Sequence, residues 1–274
     1  MRENLFQKAA ENGVLVAAHR GSCGGNLCQN TALTFKAALL QGADILELDV
    51  IRSTDGVFYV FHDNQEGHVL HLDRSILELS SAEIDELMMY NWLDMPSGLH
   101  LSRLTDILDE FSDSFINIDR SWRWWPEMIA LLNERDHSRI LLKSHAEKEL
   151  LACLEKNGPD IPYMPIVSSV QELQDTLSYD INTVAAELLF RSTDDELVSA
   201  DTFAYCREKG LLTFVNAETI SILDKHYQCG PFGDNVAIAE GFDKGWGGLV
   251  RMGFDIIQTD WAGMLKKYIQ TMKK

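Results

Sequence analysis

Short apolar, β-branched runs recur along the whole chain, and nearly every consecutive pair is separated by a stretch of helical period. The runs are Val14–Ala18, Asp44–Val50, Phe115–Asp119, Arg139–Lys143, Ile161–Val167, Ile181–Ala186, Leu211–Asn216 and Phe254–Thr259. Among the intervening segments, Thr34–Gln41, Glu127–Glu134, Glu147–Lys156, Val170–Leu177, Asp201–Lys209 and Ile220–His226 read as helices. Strand–helix alternation of this kind predicts a parallel sheet, because parallel neighbours need a crossover connection. Eight such units predict closure into a TIM (β/α)8 barrel, and 274 residues suit one barrel domain. A doubly wound open sheet is the structural rival, but no Gly-x-Gly-x-x-Gly follows the first run. No low-complexity tract, Pro/Ser-rich linker or fixed repeat marks a boundary, so residues 1–274 are expected to form a single α/β domain.

One run breaks the alternation. Val57–His62 follows Asp44–Val50 after only Ser53-Thr54-Asp55-Gly56, which leaves no room for a helix. Asp-Gly between two strand-like runs is a strong hairpin signal. Folding back about Asp55, or about the Asp55–Gly56 bond, brings His62 opposite Asp49 or its immediate neighbour, on the level of Glu47. Further on, the Glu/Asp-rich Leu77–Leu87 reads as the solvated face of an amphipathic helix, and Met88-Met89 as core.

In a barrel, chemistry sits at the C-terminal ends of the strands. His19 and Arg20 close the first run, and Gly24-Gly25 just beyond allows close backbone approach to a ligand. Glu47 and Asp49 share one face of their strand, with Leu48 on the other. Their flanks are too apolar for an exposed edge, so both carboxylates are expected inside the barrel. Buried like charges need a cation or donors to compensate them. Asn117 and Asp119 share a face in the same way. Glu47, Asp49 and Asp119 together form an all-oxygen donor set, which suits Mg²⁺ or Ca²⁺ better than Zn²⁺. His19 and His62, flanking that set, suit general acid and base roles near neutral pH.

Later run ends offer Lys143, Glu187, Asn216 and Asp260. Lys143 and Asn216 are taken as substrate contacts, Lys143 as a point charge for a phosphate. Trp122, Trp124 and Trp125 beside Pro126 read either as a stacking surface or as a packed loop over the mouth. Gly245-Trp246-Gly247-Gly248 matches no phosphate-loop fingerprint. A catalytic thiol at Cys23 or Cys28 is a minor alternative. Five scattered cysteines favour a reducing compartment. With 24 Lys and Arg against 42 Asp and Glu, the net charge of −18 argues against nucleic acid as a partner. The N-terminus has no secretory h-region, and no stretch approaches the roughly 20 apolar residues of a membrane span. A cytoplasmic protein without stable membrane insertion is expected.

Taken together, these residues resemble the glycerophosphodiester phosphodiesterase family. The matching text is AHRG at Ala18–Gly21, Asn30-Thr31, GADILELDV at Gly42–Val50, DGVFYVFHD at Asp55–Asp63, INID at Ile116–Asp119, Val215-Asn216 and GFDIIQTD at Gly253–Asp260. The resemblance implies a TIM barrel, a divalent metal, and hydrolysis of a small glycerophosphodiester to glycerol phosphate and an alcohol. By position it implies Glu47, Asp49 and Asp119 as metal ligands, His19 and His62 as the acid/base pair, and Arg20 on the phosphate. It also implies an insertion over about 64–114, and attack by the neighbouring glycerol hydroxyl to give a cyclic phosphate that water then opens. The family's Pro-Glu is replaced here by Cys28-Gln29, its third acidic ligand is the shorter Asp119, its following Lys is Ser121, and its Trp-Thr is Thr213-Phe214. The alternatives are a phosphodiesterase on a phospholipid or other sugar-like phosphodiester, and a barrel that binds a phosphate ligand without turnover.

Overall fold

The computed structural model describes residues 2–220 and 227–272, with side chains from residue 5 onward. In chain order its strands are β1 (Leu15–Ala18), β2 (Ile45–Arg52), β3 (Phe58–Val60), β4 (Met88–Tyr90), β5 (Pro96–His100), β6 (Phe115–Asp119), β7 (Ile140–His145), β8 (Tyr163–Val167), β9 (Ala185–Leu188), β10 (Leu212–Asn216) and β11 (Ile256–Thr259). The helices are α1 (Arg2–Asn12), α2 (Ala32–Leu40), α3 (Ser81–Asp85), α4 (Leu104–Glu110), α5 (Glu127–Asn133), α6 (Lys148–Asn157), α7 (Val170–Thr176), α8 (Ala200–Glu208), α9 (Asp234–Glu240), α10 (Trp246–Met252) and α11 (Ala262–Met272). Strands β1, β2, β6, β7, β8, β9, β10 and β11 pair in parallel in that order. β1 pairs with both β2 (Ala17 with Ile45) and β11 (Val16 with Ile257), which closes the predicted barrel.

Period 2 divides each strand between two cores. Leu15, Ala17, Ile45, Phe115, Leu141, Met164, Leu212 and Ile256 pack inside the barrel at its N-terminal end. Leu5 and Ala9 of α1 join that cluster and plug the same end. The alternate residues, such as Val16, Leu46, Leu48, Ile116, Ile118 and Leu142, pack outward under the helix layer. Because the bottom of the interior is apolar and sealed, a ligand can enter only from the other end.

The hairpin forms as expected: β3 runs antiparallel to β2, pairing Val50 with Val60 and Arg52 with Phe58. The strand is shorter than Val57–His62, and Val60 at its end turns its N–H away from β2 to Ser102 O at 2.9 Å, as alternate residues of an antiparallel ladder do. Phe61 still donates to Asp49 O at 3.0 Å, so the register continues and His62 arrives level with Leu48, between Glu47 and Asp49. Behind the hairpin a separate core of Ile51, Tyr59, Phe61, Val69, Leu70, Ile76, Leu79, Ile84, Met89 and Leu101 supports the β4–β5 hairpin. α4, at the end of the expected insertion, instead packs Leu104, Ile107 and Leu108 into the barrel's helix layer.

Two expectations change, and a third falls mostly outside the described residues. Leu77–Leu87 is not one solvated helix: a single 3₁₀ turn, Ile76–Glu78, precedes α3, and Ile76, Leu79 and Ile84 are buried. Ser80 breaks it, capping α3 by accepting from Glu83 N–H while the Glu83 side chain accepts from Ser80 N–H. The run Ile181–Ala186 starts late as a strand, since Asn182 N–H bonds Pro159 O and Thr183 N–H bonds Ile181 O, leaving a turn before β9. The expected helix Ile220–His226 lies, beyond Ile220, outside the described residues.

Gly245-Trp246-Gly247-Gly248 is a packing element at the start of α10. Trp246 is fully buried and donates from Nε1 to Asp234 Oδ1 at 2.7 Å. A Cβ on Gly245 would lie 2.4 Å from the Ala237 backbone nitrogen. Gly245→Ala is therefore expected to cost about 1–3 kcal/mol through overpacking, read as a lower thermal midpoint.

Candidate active site

The same alternation that fills the barrel floor with Leu15, Ile45, Phe115 and Ile256 lines its upper end with polar groups. β2 continues Ile45, Glu47, Asp49; β6 continues Phe115, Asn117, Asp119; β7 continues Leu141, Lys143, His145. β10 continues Phe214, Asn216 and, past its end, Glu218, while β11 continues Ile256, Gln258 and Asp260. Most of these side chains meet at one cavity of about 630 Å³ lined by His19, Arg20, Asp49, His62, Asp119, Lys143 and Asn216 among others. All seven were expected at the site. Glu47, 1 % exposed, lies buried beside Asp49 and Asp119.

Arg20 organises the acidic side. Its backbone sits in the left-handed region (φ 54°), which turns its N–H onto Glu47 Oε2 at 2.8 Å. Its Nε lies 3.0 Å from Asp49 Oδ2, and its Nη1 donates to Gln29 Oε1 at 2.8 Å. Gln29 is thus a neutral acceptor for the guanidinium where the family pattern has a carboxylate. Asn30 Nδ2 donates to Asp49 Oδ2 at 3.0 Å and fixes the Asp49 rotamer. The position of the family's Lys is filled by Ser121, whose hydroxyl accepts from Trp125 Nε1 at 3.3 Å. The cation comes instead from the next strand: Lys143 Nζ lies 2.6 Å from Asp119 Oδ2 and 3.2 Å from Glu187 Oε2. Arg120 does not fill that role, since its Nη2 and Nε both donate to Asp63 Oδ1. Asn216 Nδ2 donates to Glu187 Oε1 at 2.9 Å, so Lys143 and Asn216 share one carboxylate.

Oxygens of Glu47, Asp49 and Asp119 lie within 4.8 Å of one another. Burial, and then the neighbouring Asp49 charge, push the Glu47 carboxyl up to about 8. That is what a hard-cation site looks like before its positive charge is counted, and the donor chemistry fits a divalent cation.

The two histidines are held differently. His19 Nδ1 is 2.8 Å from Asp260 Oδ1. Burial alone would lower its pKa, but Glu218, Asp260 and Glu47 outweigh burial and raise it to about 10. His62 hydrogen-bonds through Nδ1 to the Asp63 carbonyl, so Nδ1 carries the proton and Nε2 the lone pair. Burial, helped by Arg20 and Arg120, holds its pKa below the ordinary value despite Asp49. Burial and Asp260 push the Cys23 thiol up to about 12, which disfavours the thiolate that a nucleophile needs. The tryptophans divide: Trp122 lines the cavity edge-on to His145 at 5.4 Å, whereas Trp125 is buried against Tyr163.

Glu218, Gln258 and His145 were not singled out from the sequence, although all three line the cavity. The available signal was phase: Glu218 lies two residues beyond Asn216, and His145 two beyond Lys143.

The family model described as the glycerophosphoryl diester phosphodiesterase family matches residues 19–215, a span holding every expected site residue except Asn216. The chain belongs to that family. A second model, described only as a domain of unknown function, matches residues 163–269. Among curated proteins, the glycerophosphodiester phosphodiesterase of Bacillus subtilis is 23% identical over 222 residues, covering 73% of this chain and 74% of that one. The crystal structure of a glycerophosphoryl diester phosphodiesterase from Parabacteroides distasonis superposes with a TM-score of 0.76 at 15% identity, over 94% of this chain and 87% of the other. An Oleispira antarctica phosphodiesterase, solved in complex with the product sn-glycerol-3-phosphate, superposes at 0.64 with 19% identity, over 93% and 96%. At such identities the solved structures establish that this phosphodiesterase-family chain shares their fold.

Proposed function

We propose that this chain hydrolyses glycerophosphodiesters to glycerol phosphate and an alcohol, using a divalent cation on Glu47, Asp49 and Asp119. The observation that carries the reading is the meeting of two differently held histidines, Arg20 and the acidic trio around one cavity in a chain of this family. A bound Mg²⁺ or Ca²⁺ would draw charge from the phosphoryl oxygens. Arg20, fixed by Asp49 and Gln29, orients the phosphate. His62 Nε2 takes the proton of the neighbouring glycerol hydroxyl, whose oxygen attacks phosphorus. His19, kept protonated by Asp260 and Glu218, gives its proton to the departing alcohol oxygen. A cyclic phosphate results, and water opens it with the two histidine roles reversed. Lys143 and Asn216 hold the far wall through Glu187.

The departures at Gln29 and Ser121 motivate a binding barrel without turnover. Lys143 answers that reading, since it places a cation 2.6 Å from Asp119 without the family's Lys. Five unpaired cysteines support a reducing, cytoplasmic setting. Among the described residues no helix is long and apolar enough to cross a membrane.

The test is glycerol phosphate release from glycerophosphocholine, glycerophosphoethanolamine and glycerophosphoglycerol, each with Mg²⁺, with Ca²⁺ and with chelator. Release that chelator abolishes and a divalent cation restores is the expected result. Undiminished release in chelator would overturn the metal assignment, and no release from folded protein with either ion would overturn the reaction.

A further inference from the structure

On its N-terminal side His62 is held by the hairpin, where Phe61 N–H donates to Asp49 O. Past His62 that support ends. Among the described residues, His62, Asp63 and Asn64 make no main-chain hydrogen bond to another segment. Asn64 sits in the left-handed region (φ 71°), so the chain turns there. The His62 ring nevertheless depends on this stretch, because its Nδ1 bonds the Asp63 carbonyl. A carbonyl on an unanchored turn cannot fix the orientation of a ring, so something other than the main chain must anchor Asp63.

The anchor is the Asp63 side chain. Asp63 is 6 % exposed, and a carboxylate so buried needs donors on its oxygens. Arg120 reaches Oδ1 through Nη2 at 2.6 Å and Nε at 3.0 Å, and Arg123 Nη1 reaches Oδ2 at 2.8 Å. Both oxygens are therefore engaged by charge-assisted hydrogen bonds, which restrict direction as well as distance. The two arginines come from the turn after β6, Arg120 with its backbone in the left-handed region (φ 60°) and Arg123 within the 3₁₀ turn Ser121–Trp124. That turn has its own attachments. Trp124 packs edge-on against Phe58 of β3 at 6.4 Å, and the Arg120 N–H donates to Asp119 Oδ1 at 2.6 Å. The clamp thus ties the segment that carries His62 to a turn already fixed against the same hairpin.

We infer that Arg120 and Arg123 are positioning residues for the proton transfer at His62: by clamping the Asp63 carboxylate they fix the Asp63 carbonyl, which keeps the His62 proton on Nδ1 and leaves Nε2 for the reacting hydroxyl. The inference rests on the phosphodiesterase reading above, with His62 as the base. It assigns neither arginine a contact with the reacting atoms. Arg120 does line the catalytic cavity, so a direct contact with the substrate phosphate is the rival role for it. Arg123 is not among the lining residues, and its only described ion pair is with Asp63, so an effect of Arg123 on the chemical step has to pass through Asp63. A purely structural role would leave the chemical step of the folded enzyme alone. A positioning role shows itself in kcat, and only while His62 is present.

The test measures kcat, KM and the cation concentration for half-maximal rate with glycerophosphoethanolamine and Mg²⁺ or Ca²⁺. It compares the wild type with Arg120→Met, Arg120→Lys and Arg123→Met, each alone and combined with His62→Ala. The Arg123 side chain is 48 % exposed, so Arg123→Met is expected to fold even if Arg120→Met does not. Arg120→Met should lower kcat by about tenfold to a hundredfold and Arg123→Met by about threefold to tenfold, the scale of a catalytic group held slightly out of place. Arg120→Lys should recover part of its loss, because an ammonium can still meet Asp63. KM and the cation requirement should change by less than about twofold. In the His62→Ala background each arginine substitution should cost less than about twofold more, since no ring is left to position. Equal losses with and without His62 overturn the inference. A loss expressed in KM overturns it in favour of phosphate binding, and a raised cation requirement in favour of an effect through Asp119. These failures leave the phosphodiesterase reading intact, whereas wild-type turnover in His62→Ala, or none from the folded wild type, removes that reading's base or its reaction and this inference with it.

Discussion

His62→Ala is expected to lose turnover of glycerophosphodiesters by a factor of about 10²–10⁴, the ordinary contribution of a positioned acid or base. His19→Ala should lose a comparable factor. His62 is half-buried and its described hydrogen bond goes to a backbone carbonyl, so the thermal midpoint of His62→Ala should stay close to that of the wild type. The pH profile separates the two roles. A base works in its neutral form, which for His62 is present above a pKa that burial holds below 6.5. Activity should therefore rise along an acid limb centred below the ordinary imidazole range. An acid works in its charged form, which for His19 persists up to about 10, so activity should fall again only in alkaline solution. Residual turnover by His62→Ala should lack the acid limb, and that by His19→Ala the alkaline one. Wild-type-like turnover in both variants would remove the acid/base mechanism altogether, whereas limbs lost in the opposite pairing would exchange the two roles.

Legibility in the sequence followed periodicity. The barrel was readable because each interior strand alternates apolar residues with a second apolar set outside, as Ile45 and Leu46 do, and because turns and helices separate the strands. The approach of His62 to Glu47 and Asp49 was readable because Asp55-Gly56 fixes the fold-back point and a hairpin register then follows by counting. Phase also reached Asp119, Lys143 and Asn216, each of which stands on a wall of the one cavity. It stopped where strands stop. Glu218 lies in phase with Asn216 but beyond the last ladder pair of β10, where nothing local says that the chain still points inward. The partner of Lys143 was hidden for a different reason. β6 supplies Asp119, the family's Lys position lies in the turn just past it, and only the β6–β7 register shows that the next strand can bring its ammonium to the same carboxylate.

Lys143 offers the largest expected effect on stability. It is 1 % exposed, and burial alone would lower the pKa of its ammonium, yet Asp119, Glu187 and Glu47 hold it well above the ordinary value. Lys143→Met keeps the unbranched side chain up to Cε and removes the charged Nζ, leaving the buried Glu187 and its neighbour Asp119 without their cation. Breaking a buried pair from one side costs about 3–5 kcal/mol. For a chain of this size that corresponds to a fall in thermal midpoint of about 10 °C. Burial already raises the Glu187 carboxyl, and Lys143 opposes that rise. Without Lys143 it should rise further, so the folded variant binds protons that the unfolded chain releases. Stability held by such a group is full below the ordinary carboxylate pKa and is lost as pH climbs through the raised folded value. The deficit against wild type should therefore be larger at pH 8 than at pH 5, a pH dependence that a simple loss of packing would not show. Adding Glu187→Gln to Lys143→Met should recover part of the midpoint, because it removes the stranded charge while leaving Asn216 a partner. Equal deficits at both pH values, or no recovery in the double variant, would mean that Lys143 is held by packing and not by the carboxylates it bridges.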